Sequence, residues 1–196
     1  MRRSYTLRLI AMLVVGATVA AAVSGMASAG ENEKGRVFNE TFTIDESFNE
    51  TDFCGTGKTV HFDVVGEGRS QVVLRGRDQL PYYAAHIKDT TTATNPENGK
   101  FLISTSSFID KDLQVTDAGG GFLRLIVLAT GVSKLYGENG KVIARDPGQT
   151  RIELLLDTKG TPNDPTDDTD QFVGVVKEST GRSDDYCEVA VPILFP

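Results

Sequence analysis

The chain has 196 residues, with 20 basic against 27 acidic side chains and a formal charge of −7. That balance offers no basic face for nucleic acid or an anionic membrane surface, so neither is expected as a partner. There is no tryptophan, which removes the flattest of the aromatic platforms on which sugars stack.

Residues 1–29 read as an export signal. Arg2, Arg3 and Arg8 precede a 15-residue apolar run from Leu9 to Val23, and Ala27-Ser28-Ala29 supplies the small-x-small pattern of a cleavage site. The run falls short of the roughly 20 residues needed to cross a bilayer as a helix. No cysteine follows it for lipid attachment, so no stable membrane anchor is expected. Arg2-Arg3 also admits twin-arginine export beside the general secretory route. Cleavage after Ala29 would leave 17 basic and 27 acidic residues, a charge of −10.

Residues 30–35 are polar and without an apolar period, a loose lead-in. A single β domain is expected over residues 36–196. Apolar and polar residues there form short extended segments at 37–44, 59–65, 71–75, 84–92, 100–108, 122–135, 141–145, 150–157, 171–177 and 186–193, eight to ten strands. In Val60-His61-Phe62-Asp63-Val64 the alternation sends Val60, Phe62 and Val64 to a buried face and His61 and Asp63 to water. Asn98-Gly99 and Asn139-Gly140 recur inside the same Glu-Asn-Gly-Lys tetrapeptide and suit type I′ hairpin turns. Gly66-Glu67-Gly68-Arg69 and Asp146-Pro147-Gly148-Gln149 read as further turns. The fold class is all-β, a single antiparallel barrel, with a β-sandwich as the alternative.

Cys54 and Cys187 are the only cysteines. In an exported chain they are expected to bond, since two thiols without a nearby histidine make a poor zinc site.

Candidate sites are few. Gly55-Thr56-Gly57-Lys58-Thr59 ends like a phosphate-binding loop, but Asp52 stands where the motif needs glycine, and a strand follows where it needs a helix. Asp157, Asp164, Asp167, Asp168 and Asp170 crowd one loop and could supply oxygen ligands to calcium, without matching an EF-hand; a solvated loop is the plainer account. Tyr82-Tyr83 is the one aromatic pair outside a clear strand pattern, suited to a rim contact or to packing where a strand begins. His61 and His86 stand alone, with no nucleophile elbow or helical histidine pair, so no catalytic residue is assigned. Asn39 and Asn49 open Asn-x-Thr glycosylation patterns.

Glu-Asn-Gly-Lys-Val at 138–142, Asp-Pro-Gly at 146–148, Gly-Thr-Pro-Asn-Asp-Pro-Thr-Asp-Asp at 160–168, Ser-Thr-Gly-Arg at 179–182 and Cys187 form a moderately specific string. Over about residues 120–190 it resembles uncharacterised small secreted proteins of high-GC Gram-positive bacteria. The resemblance implies export and carries no catalytic residue over. The expected fold is also loosely similar to barrels of the allene oxide cyclase and dirigent type. Three functions are open at this point. The first is a non-enzymatic secreted domain that binds a small apolar ligand or a surface partner. The second is a barrel enzyme of cyclase or isomerase type, and the third a calcium-stabilised extracellular protein. The enzyme reading requires polar side chains that point into the barrel interior.

Overall fold

The computed structural model describes residues 36–161 and 167–196; the signal segment, the lead-in and Asp164 lie outside the described residues. Seven strands follow one another: β1 (Arg36–Glu50), β2 (Val60–Arg75), β3 (Leu80–Thr94), β4 (Phe101–Gly119), β5 (Phe122–Tyr136), β6 (Val142–Asp157) and β7 (Thr169–Lys177). Each pairs antiparallel with the next, giving one meandering sheet in sequence order. A short 3-10 turn, Phe53–Gly55, joins β1 to β2, and a helix, α1 (Tyr186–Leu194), follows β7.

The all-β class stands, and the element count is corrected in three places. The segments expected at 59–65 and 71–75 are one strand, because Gly66 to Arg69 continue the β2 ladder against Thr41 to Ile44. Those at 141–145 and 150–157 are likewise one strand, β6, running through Pro147. The ten segments thus become seven strands. Pro147 is tolerated because regular pairing of β7 with β6 begins only at Arg151, leaving Pro147 at a sheet margin. Third, the segment at 186–193 is helical. The Asp185 carboxylate caps it, accepting from the backbone N–H groups of Cys187 at 2.9 Å and Glu188 at 3.2 Å.

Both Asn-Gly pairs do sit at hairpin tips, between β3 and β4 and between β5 and β6. They are not type I′ turns, since only Gly99 (φ 72°) and Gly140 (φ 71°) take the left-handed conformation. Each asparagine instead turns its side chain back, Asn98 accepting from Lys100 N–H and Asn139 from Lys141 N–H.

Residues paired directly across antiparallel strands share a face. One face carries Val60, Ala93, Leu102, Leu135 and Ala144, which form a core with Phe53 and with Ala190 and Leu194 of α1. We call this the inner face. Alternation in β1 agrees with it, for Glu40, Phe42, Ile44, Glu46 and Phe48 are half-buried while their neighbours are exposed. The helix ends against the β3–β4 hairpin, where Asn95 and Asn98 both donate to the Leu194 carbonyl. A second core, Val115, Leu123, Leu125 and Val127, lies at the far end of the same face.

The sheet is open in its hydrogen bonding: among the described residues β1 pairs only with β2, and β7 only with β6. An odd number of up-and-down strands leaves the two edges running in the same direction, so closure requires a parallel pair. The barrel closure expected from the sequence is not seen in the ladder among the described residues. Close approach sets one position firmly. A Cβ on Gly131 would collide with the Ser107 carbonyl and the Phe108 backbone, neither of which can swing aside, whereas Gly174 has open space. Gly131→Ala is expected to cost roughly 1 to 3 kcal/mol and Gly174→Ala nearly nothing, measured by urea unfolding; equal effects would contradict the packing.

Candidate functional site

Midway along the inner face, β-pairing sets Glu40, Ser70, Ala85, Asp110, Ala129 and Thr150 in one line across β1 to β6. Its apolar members are alanines, in contrast to the bulkier lines beside it, which hold Phe42, Ile87 and Phe108 on one flank and Val72, Tyr83 and Val127 on the other. Ser70 is 1% exposed and its Oγ has no hydrogen-bond partner of adequate geometry; Asp110 Oδ1 is likewise buried and unpartnered.

Asp112 follows two residues after Asp110 and so returns to the same face. A bulge at Leu113 then breaks the β4 register, with Asp112 opposite Val127 and Gln114 opposite Ile126. Pairing of β3 with β4 stops at Ala84–Lys111. The next donor, Tyr83 N–H, is taken by Asp112 Oδ2 at 2.8 Å. A bulge beside a polar cluster is a common way to re-aim a side chain at a site.

Burial controls the chemistry of these groups. It pushes the Asp110 carboxyl up to about 6. Burial also raises Asp112, to about 7, with Asp110 adding to the rise, while the Tyr83 N–H and the Arg75 guanidinium oppose it. Tyr83 rises to about 12, mainly through burial and then through Asp110, Asp112 and Glu40, with the neighbouring Ser70 hydroxyl working the other way. Nearer α1, Asp89 is raised by burial against the Ser106 and Thr91 hydroxyls. Two carboxyls two residues apart on one strand face therefore change protonation near neutrality, a range in which one can hold a proton while the other is ionised.

The other sequence candidates are scattered. Cys54 and Cys187 are bonded, their Cα atoms 5.6 Å apart. In the phosphate-loop look-alike, Asp52 accepts the Gly57 N–H at 2.7 Å, so the residue that breaks the motif closes the turn. His61 lies outward as expected, within reach of Asn49 (2.8 Å), Ser47 (3.1 Å) and Asp63 (3.3 Å) in an exposed polar network. His86 lies 3.3 Å from the Ser107 hydroxyl on the same outer face. Of the calcium candidates, Asp157 is held by Lys159, which keeps its carboxyl below the ordinary range, and Asp167 accepts the Thr161 hydroxyl at 2.9 Å. Asp170 pairs opposite Leu156 at the start of β7, and Asp168 is half-buried. Among the described residues no three His, Cys, Asp or Glu side chains are placed to hold a metal ion. Tyr82 stacks under Arg75, 4.8 Å from ring centre to guanidinium, whereas Tyr83 enters the cluster.

Asp110 and Asp112 were not singled out by sequence, although the alternation Leu102, Ser104, Ser106, Phe108 points on to them. No protein-family model, curated protein or solved structure matches the chain.

Proposed function

We propose that this chain is an exported β-domain that binds a small, largely apolar molecule against the inner face, with Ser70, Tyr83, Asp110 and Asp112 meeting its polar end. The observation that carries the reading is Asp110 Oδ1, buried and without a hydrogen-bond partner beside the buried Ser70 and Tyr83 hydroxyls, on a line whose apolar side chains are only alanines. Buried polar atoms without partners are costly unless something else satisfies them. Export is supported by the leader-like first 29 residues and by the Cys54–Cys187 bond; among the described residues no helix is long and apolar enough to cross a membrane.

The same reading has the sheet curled as an incomplete barrel around the site. A flat sheet would hold β2 and β6 about 19 Å apart. Val60 of β2 and Ala144 of β6 nevertheless share one core with α1, and an α-helix is only about 10 Å across. The disulfide adds to this by joining the β1–β2 connection to the helix after β7.

The test is saturable binding of the neutral dye Nile red at one per chain. Ser70→Leu, which fills the alanine line, is expected to weaken it at least tenfold, and Thr105→Leu on the outer face to leave it unchanged. Absence of saturable binding would overturn the reading. A second reading, acid–base isomerisation or cyclisation of the bound molecule, is favoured by the Asp110 and Asp112 values near 6 and 7. It requires that Asp110→Asn and Asp112→Asn abolish turnover while Nile red still binds.

A further inference from the structure

Basic charge is confined by register to one face of the sheet. The strands carry nine Lys or Arg side chains whose placement is described: Arg69, Arg75, Lys88, Lys111 and Arg124, and then Lys134, Arg145, Arg151 and Lys177. By register every one of them belongs to the outer face, and all but the half-buried Lys134 are exposed. The inner face instead holds Glu40, Glu46, Asp89, Asp110, Asp112 and Asp146, all buried or half-buried. Around the alanine line the charged or titratable groups are Glu40 from β1, Ser70 with Arg75 from β2, Tyr83 from β3 and the two aspartates of β4. The facing positions on β5 and β6 are Val127, Ala129, Thr150 and Ile152, which carry no charge. Arg75 is exposed and stacked on Tyr82, which packs against the second core, and its attraction reaches Asp112.

We infer that the inner-face site selects its ligand by charge, taking an apolar molecule that ends in an ammonium group and rejecting one that ends in a carboxylate. This rests on the binding reading above and deepens it. An ammonium donates three hydrogen bonds and accepts none. Asp110 Oδ1 is a buried acceptor without a donor, so an ammonium complements it. A carboxylate brings more acceptors and a like charge into a poorly solvated cluster, where repulsion is least screened.

Three probes with one chain length separate the possibilities: decylammonium, decanol and decanoate, titrated calorimetrically at pH 8 below their micellar concentrations. The expected order is decylammonium at least tenfold tighter than decanol, with no saturable decanoate binding. Asp110→Asn is expected to remove the tenfold advantage of the amine over decanol. Glu67→Gln, on the outer face, is expected to change neither, which separates site binding from general attraction to an acidic protein. Decanoate or decanol binding as tightly as the amine overturns the charge inference and leaves the binding reading standing, and so does an amine advantage over decanol that persists in Asp110→Asn. If none of the three binds and Nile red does not bind either, the binding reading itself is lost.

Discussion

Replacing Cys54 by alanine is expected to lower the unfolding free energy by about 4 to 5 kcal/mol and the melting temperature by roughly 10 to 20 °C. The cause lies in the unfolded chain. Cys54 and Cys187 are 133 positions apart, so the bond removes a large share of the disordered ensemble's freedom while closing a gap of only 5.6 Å between Cα atoms in the fold. The native contacts around it persist without it: Phe53 is 1% exposed, and Ala190 and Leu194 are fully buried against the same core. The alanine chain therefore folds, with a reduced margin. Cys187→Ala should match Cys54→Ala, and the double variant should add little, because either substitution removes the whole bond. Urea unfolding of the four forms checks this. Melting temperatures that agree within two or three degrees, oxidised and reduced, would mean that packing of α1 already does what the bond is credited with.

The position of that bond bears on function through the architecture. It ties the connection after β1 to the helix after β7, at the end of the inner face that α1 covers. Loosening it is expected to act first on the docking of α1. The Asp110 and Asp112 line, farther along the strands, should feel it only through global stability.

What could be read in the sequence was local. The alternation at Val60 to Val64, the Asn-Gly tips and the cysteine pair each depend on neighbouring residues or on residue type, and the fold respects them. The merged strands were hidden because Gly66 and Gly68 look like turn residues in isolation. Gly68 is glycine because the Phe42 ring on β1 occupies the space of a Cβ, a contact made across 26 positions. The helix was hidden by Val189, Val191 and Pro192, which suit a strand; its signals were the Asp185 cap and the four-residue spacing of Ala190 and Leu194. The site was hardest to read. Asp110-Lys111-Asp112 resembles the wet end of a strand, and both aspartates face inward because they continue the alternation from Leu102, ahead of the bulge at Leu113. Among 27 acidic residues such a pair has no local mark.

Asp112→Asn is expected to stabilise the protein above neutrality and to do nothing in acid. In the fold the Asp112 carboxyl sits near 7, against an ordinary 3.8. The folded chain therefore holds this proton more tightly than the unfolded chain does. The stability Asp112 contributes is full below about pH 4 and is lost as pH rises through 7. Asp110, near 6, loses its share over pH 4 to 6. Glu138, Asp157 and Asp184 are shifted down by Lys100, Lys159 and Arg182, and they act in the opposite sense, weakening the fold only as pH falls through the acid range. A rise of about three units corresponds to roughly 4 kcal/mol at most. Repulsion between Asp110 and Asp112 makes their two losses less than additive, so a gain of roughly 2 to 4 kcal/mol at pH 8 is expected for Asp112→Asn. Asparagine keeps an oxygen to accept the Tyr83 N–H, whereas Asp112→Leu leaves that donor unpaired and should cost roughly 1 to 3 kcal/mol in acid. Unfolding measured from pH 4 to 8 separates the two effects. Parallel curves for the parent and Asp112→Asn would mean that the carboxyl is ionised in the fold across that range, and the inner face would then have no proton near neutrality to give or take.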